Sequence, residues 1–293
     1  MKNLKILSAM AAALMILLVS GCSGPQVRKD ILVVSLQPQK YLLQQIVGNK
    51  YVVKSLLTQT GNPETYEPSA SNLVSIEKSS AYFKIGNIGF ELAVGPSIES
   101  LNPDLKIYDT SKGVDLILGT HCAGGYHEHN KRTLDVDPHI WSSVVNARII
   151  AQNMYEAMLE VDGKNQKFYK KNLDKLNVRL DSIDNAVKEI LAPVGNASFL
   201  VWHPSLSYFA RDYNLHQISL EAIGKESSIK DFKSKIDLAQ ADSIHVFLCQ
   251  KEFDSRQADL VLKDMNVSKF EINPMNYDLG EELINTAHAI ATR

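Results

Sequence analysis

Apolar residues along the chain follow two rhythms, short unbroken runs and longer stretches where they return every three or four positions. Ile31 to Leu36 is a run of strand length, and a helical pattern through Tyr41, Leu42, Gln45 and Ile46 follows it, ending at Gly48. Tyr51 to Leu57 reads as a second strand, Pro68 opens a helix carrying Leu73 and Ile76, Ala81 to Ile85 is a third strand and Lys106 to Tyr108 a short fourth. Strands alternating with helical patterns predict βαβ units and a mostly parallel sheet. From Gly113 to Asp137 the rhythm breaks; Gly119, Gly124, Gly125 and three His mark this stretch as a loop.

Asp162 to Ala192 carries Tyr169, Leu173, Leu176, Leu180, Ile183, Val187 and Ile190 at spacings of three and four, with Pro193 and Gly195 behind them. That pattern predicts one amphipathic helix, long enough at 1.5 Å per residue to cross a whole domain. After it the alternation resumes. Ser198–Trp202, Gln217–Leu220, Ile244–Cys249 and Lys269–Ile272 are strand candidates, with helical patterns around 205–213, 229–241, 256–265 and 279–291. The predicted fold is α/β with two lobes, each a mostly parallel sheet flanked by helices, joined by a long mid-chain helix. The first lobe takes residues 31–161, with a His-containing loop at 119–136; the helix takes 162–192 and the second lobe 193–293. No internal sequence repeat is evident.

The first residues change the picture. Lys2 and Lys5 precede an uncharged apolar run from Ile6 to Val19, too short for a membrane span of about 20 residues. A basic start, a short apolar stretch and small residues make an export signal over residues 1–21. Val19-Ser20-Gly21-Cys22 resembles a bacterial lipobox, which implies cleavage before Cys22 and its acylation, with residues 22–30 as a tether. Such a chain is held at a membrane surface by lipid and sits exported in the cell envelope, periplasmic or on the outer face. Processing removes two Lys and no acid, taking the formal charge from −2 to −4. Neither value is the basic footprint of a nucleic-acid binder. Two Cys remain, Cys122 and Cys249, and two residues give no spacing pattern from which to argue pairing or its absence.

Three short segments hold polar residues just past predicted strands, where α/β sheets place their ligands. They are Gly61-Asn62-Pro63-Glu64-Thr65-Tyr66-Glu67-Pro68, Asp135-Val136-Asp137-Pro138-His139-Ile140-Trp141 and Val201-Trp202-His203-Pro204-Ser205. Each sets a metal-ligating side chain beside a Pro that stiffens the backbone. Taken singly, each is more often a structural His or a solvated Glu than a ligand, and no CxxC or HExxH spacing is present.

Together these segments resemble the zinc and manganese solute-binding lipoproteins of bacterial ABC importers, over nearly the whole chain. Pro63-Glu64-Thr65-Tyr66-Glu67-Pro68-Ser69 is similar to the family's first-ligand loop, Asp137-Pro138-His139-Ile140-Trp141 to its second-ligand motif, and Trp202-His203-Pro204-Ser205-Leu206-Ser207-Tyr208-Phe209-Ala210 to its third. The resemblance implies a two-lobed carrier, a monomer and not an enzyme, that captures a divalent metal and delivers it to an ABC permease. It carries over His139 and His203 as ligands, and Glu64 by position, where the family has His. It offers Asn273, where the family usually has Asp, or a water as the fourth. Zinc-type members have His at the third position, so His203 points to Zn2+, with Mn2+ or Fe2+ as alternatives. His121, His127 and His129 occupy the place of a His-rich loop that zinc-type members carry to collect metal. His216, His245 and His288 have no motif and read as structural or surface residues. Two other functions stay open. A surface adhesin or structural lipoprotein is one; an exported zinc hydrolase, which would also use three ligands and a water, is the other, although no zincin motif, nucleophile elbow or phosphate loop accompanies it.

Overall fold

The computed structural model describes residues 30–118, 136–221, 229–251, 265 and 267–292. Export segment, Cys22, Cys122, the loop residues His121, His127 and His129, and the helical pattern at 256–264 lie outside the described residues.

In the first lobe β1 (Ile31–Val34), α1 (Gln37–Val47), β2 (Val52–Ser55), α2 (Ala70–Glu77), β3 (Ala81–Lys84), α3 (Gly89–Leu101) and β4 (Ile107–Asp109) build a parallel four-stranded sheet in the order β2-β1-β3-β4. Leu32, Val33 and Val34 are fully buried, because a central parallel strand is covered on both faces, and this is why β1 reads as an apolar run. Two helices follow, α4 (Val144–Asp162) and α5 (Gln166–Leu191). The second lobe runs β5 (Ser198–Val201), α6 (Ser207–Asp212), β6 (His216–Ser219), α7 (Ile229–Ala241), β7 (Val246–Gln250), β8 (Ser268–Ile272) and α8 (Leu279–Ala291). Its sheet is again parallel, in the order β6-β5-β7-β8. Two lobes without sequence repetition thus share one strand order.

Two helices were not among the expected elements. α3 contains Gly95 and Pro96, residues that normally interrupt a helical pattern. α4 has an inward face built from Val144, Ala147, Ile150, Ala151, Met154 and Met158 with the polar Asn146 among them, a weaker apolar contrast than that of α5. The expected helix over 162–192 begins later, at Gln166. Asp162 ends α4, residues 163–165 form a 3₁₀ turn, and the Asp162 carboxylate accepts from Tyr169 Oη and Asn165 Nδ2 at 2.6 Å each, which ties the corner.

α5 joins the lobes. Tyr169, Leu173, Leu176, Leu180, Ile183, Val187 and Leu191 form its buried stripe. Near its start Asn172 Nδ2 donates to Ile46 O at the end of α1. In its middle Arg179 stacks over Tyr41 and pairs with Asp278 at 3.0 Å, and Asp278 caps α8 through Gly280 N and Glu281 N. One continuous apolar core therefore runs through both lobes by way of α5, so the lobes have little freedom to swing apart. The approach of α8 to α5 is close at Gly280, where a Cβ would stand 2.4 Å from Ile183 Cδ1 and 3.1 Å from its Cγ1. Ile183 is buried and branched, so it yields poorly. Gly280→Ala is expected to cost about 1–2 kcal/mol by overpacking, read as a Tm lowered by several degrees; an unchanged Tm would mean the two helices slide to make room.

Among the described residues no helix is long and apolar enough to cross a membrane. Cys249 is buried on β7. His216, His245 and His288 are exposed, in keeping with surface roles.

Candidate metal centre

Glu64 lies in the loop that leaves β2. Asn62 Oδ1 accepts from Glu64 N at 2.8 Å, closing a side-chain turn around Pro63, and Tyr66 Oη donates to Leu56 O at 3.0 Å while its ring meets Phe90 edge-on. The loop is thus held to β2 and to the start of α3. His139 follows Pro138 and precedes the 3₁₀ turn Ile140–Ser142. Asp137 Oδ1 accepts from His139 N at 2.9 Å and faces His139 Nδ1 at 2.8 Å. His203 follows β5, the central strand of the second sheet. Gln250, buried at the end of β7, accepts from His203 N at 3.2 Å and donates to His203 O and to Ser205 Oγ. The backbone on either side of this imidazole is therefore clamped.

The strand ends of the two lobes face one another, and these three side chains meet between them. Their ligand atoms lie within 4.8 Å of one another. His203 Nε2 is 3.3 Å from His139 Nε2 and 3.2 Å from Glu64 Oε1. Tetrahedral zinc with bonds of 2.0–2.1 Å needs donor–donor separations of about 3.3–3.4 Å. The spacing fits one such ion, and His139 and His203 are nearly fully buried. A cavity of about 10 Å³ beside them, lined by Asn62, Pro63, His139, Trp141, His203, Ser205, Pro274 and Met275, has room for an ion or a water and not for an organic ligand.

Outer carboxylates set the tautomers. Asp137 at His139 Nδ1 and Glu221 Oε2 at His203 Nδ1, 3.6 Å away, draw the ring protons to the Nδ1 side. Both Nε2 atoms then face inward, the orientation metal-ligating imidazoles require, and the His203 ring has a lone pair to give there once it is neutral. Glu221 is itself fixed by Trp202 Nε1 at 2.8 Å. Burial would raise the Asp137 carboxyl, but the adjoining His139 ring and the hydrogen bonds it receives hold it below the usual range. Burial would lower His203, yet hydrogen bonds and charge from Glu221 and Glu64 outweigh this and push it up to about 9. Two neutral imidazoles and one carboxylate leave a dication at net +1, which Asp137 and Glu221 more than balance.

The lobes are also tied beside the site. Trp141 Nε1 donates to Pro274 O at 3.1 Å, Tyr208 Oη donates to Asp137 O at 2.7 Å, and Ser143 bonds Asp212. Asn273 is placed differently from these three side chains. Its Oδ1 accepts from Met275 N at 3.1 Å and its N–H donates to Glu282 Oε1 at 2.6 Å, so the carboxamide shapes the turn that presents Pro274 and Met275 to the cavity. Asp137 and Gln250 carried no role from the sequence. An Asp two positions before a His, with Pro between, is the signal that could have marked Asp137; a Gln at a strand end carries none.

Comparison with known proteins gives a consistent answer. The family model described as the periplasmic component A of the zinc-uptake complex, ZnuA, matches residues 32–287. A protein of Chlamydia trachomatis serovar D, provisionally named for metal binding, is 29% identical over 265 residues, covering 90% of this chain and 91% of that one. The zinc-binding lipoprotein AdcA of Streptococcus pneumoniae is 25% identical over 288 residues, covering 95% of this chain and 57% of AdcA. The crystal structure of a zinc-bound deletion mutant of ZnuA superposes with a TM-score of 0.80 at 29% identity, covering 89% of this chain and 96% of the other.

Proposed function

The chain belongs to the family of periplasmic zinc-uptake components, and on that premise we propose that Glu64, His139 and His203 hold the transported metal between its lobes. The family is one of metal-binding carriers serving ABC importers and is not an enzyme family. The observation that carries the site assignment is that His203 Nε2 lies 3.3 Å from His139 Nε2 and 3.2 Å from a Glu64 carboxylate oxygen, all three ligand atoms falling within 4.8 Å of one another. Two imidazoles and a carboxylate suit zinc first, with manganese as the alternative cargo, since carboxylate ligation is the feature the two metals share. A water completes the tetrahedron, because the Asn273 oxygen is occupied in its own turn.

Glu64 and His139 come from the first lobe and His203 from the second. A small separation of the lobes would withdraw His203 and open the site to the permease. The continuous core through α5 and the ties at Trp141 and Tyr208 favour a short movement over a wide hinge. We further propose that the chain works as a monomer anchored through an acylated Cys22, in keeping with the lipoprotein name of its streptococcal relative. No positioned base with a substrate-sized cleft adjoins the three ligands among the described residues, so carriage fits this centre better than hydrolysis.

Native mass spectrometry of protein extracted from the cell envelope, after growth with Zn, Mn and Fe offered together, reads both points at once. One zinc per chain, on a polypeptide beginning at an acylated Cys22, is expected. Manganese or iron in its place would keep the site and change the cargo. A chain without stoichiometric metal would overturn the site, and an unacylated one the anchor.

A further inference from the structure

The exposed side of α5 carries a charge pattern that metal capture does not use. Lys167, Lys170, Lys171 and Lys175 recur at helical spacing in the first half of the helix, with Lys164 in the turn before them, and all five are exposed. The four helix lysines rim a shallow groove of about 820 Å³ whose floor takes in Tyr155 of α4 and the exposed Val178. Asp174, in the same groove, pairs with Lys170. Of the acids on α4 and its corner, Glu160 accepts from Tyr108 Oη, Glu156 accepts from Gln152 Nε2, and Asp162, buried beneath Tyr169 and Asn165, stands 4.0 Å from Lys164. The stripe is thus cationic in a chain whose net charge is negative. It ends before Arg179, which is turned to Tyr41 and Asp278.

The position of this stripe relative to the chain's entry into the fold is the second observation. Asp30 O accepts from Val52 N at 3.0 Å, where the chain enters β1 beside β2. Lys50 stacks over Phe168 in the first turn of α5. The chain therefore enters the first lobe beside the start of the lysine stripe. Eight residues carry it from Cys22 to Asp30, at most about 28 Å of extended backbone.

We propose that the α5 lysine stripe is a docking surface for an anionic phospholipid bilayer, laying the first lobe against the membrane. Lysines on a helix with apolar floor between them can reach headgroup phosphates while their stems cover Val178 and Tyr155. None of Glu64, His139 and His203 lies on α5 or lines its groove, so docking by this face uses none of the metal-holding residues. The inference goes beyond metal carriage and uses the Cys22 anchor only to say which end lies near the membrane.

The test uses the mature chain with Cys22→Ser, so that no acyl chain contributes, and vesicles of phosphatidylglycerol and phosphatidylcholine against vesicles of phosphatidylcholine alone. Sedimentation with the anionic vesicles at about 50 mM salt, lost at high salt and absent with the neutral ones, is expected. Each basic residue at an anionic surface strengthens association about fivefold, so Lys167→Gln/Lys171→Gln/Lys175→Gln should weaken it at least about tenfold. No sedimentation with anionic vesicles, or equal sedimentation of the triple variant, would overturn the proposal. Retention of the chain by soluble polyglutamate with none by vesicles would also overturn it, pointing to an acidic protein instead. Zinc stoichiometry of the triple variant should stay at the unmodified value, which keeps this outcome separate from the metal assignment.

Discussion

His203→Ala is expected to weaken zinc binding by about a hundredfold or more, enough to leave the purified protein without stoichiometric metal. Structural zinc sites bind with about 10–16 kcal/mol spread over four ligands, so one ligand is worth roughly 3 kcal/mol, a factor above a hundred. His203 carries more than its own bond. It is the member of the triad that the second lobe supplies, and its Nε2 lies within 3.3 Å of both other ligand atoms. His139→Ala should cost a similar factor, since its ring is just as buried and is pre-aimed by Asp137. Glu64→Ala should cost less where a water can enter the more open side of the site, as Glu64 is only partly buried. Glu64→His, which restores the family's residue, should keep zinc and discriminate more strongly against manganese, because imidazole suits zinc and carboxylate suits manganese. Chelator-competition titrations with zinc and manganese read all four variants. Retention of full zinc affinity by His203→Ala would place the metal elsewhere.

Zinc affinity is expected to climb with pH from 6 to about 9, close to tenfold per unit, and to level off above. In the metal-free site the His203 ring is held protonated up to about 9 by Glu221 and Glu64, against the opposing effect of its burial. Zinc needs the neutral ring, so one proton must leave for each ion bound. The loss of affinity on acidification thus begins well above pH 6, the range an unperturbed imidazole would suggest. Glu221→Gln removes one of the two groups holding the proton and should shift the profile to lower pH. The same group gives the metal-free protein a stability term of opposite trend. A pKa raised on folding stabilises most below the unfolded value of about 6.5, and that contribution disappears as pH rises through about 9. Metal-free protein should therefore lose Tm between pH 7 and 9 while its zinc affinity rises. A zinc affinity flat across pH 6.5–8.5 would exclude proton release from His203.

The class of fold is legible along the chain, because burial on both faces forces central parallel strands into apolar runs such as Leu32–Val34 and Phe199–Val201, and a helix packed along one side must repeat its apolar residues as Tyr169 to Leu191 do. The sequence also marked the three Pro-stiffened loops, since they interrupt these patterns with metal-ligating side chains. It did not yield α3 and α4, whose internal Gly95-Pro96 and small or polar inward residues blur the local period, nor the corner at Asp162, which is set by hydrogen bonds to Asn165 and Tyr169. The resemblance pointed to Glu64, His139 and His203, but their meeting at one point follows from no local pattern. His139 and His203 stand 64 residues apart, and nothing in either local pattern states that their Nε2 atoms come within 3.3 Å. That distance follows from two sheets of one strand order set end to end along α5. The same holds for Asp137 and Gln250, which brace the two imidazoles, and for Asn273, whose oxygen is taken by its own turn. Local periodicity records which face of an element is buried; it carries no information about which distant polar atom that element will meet.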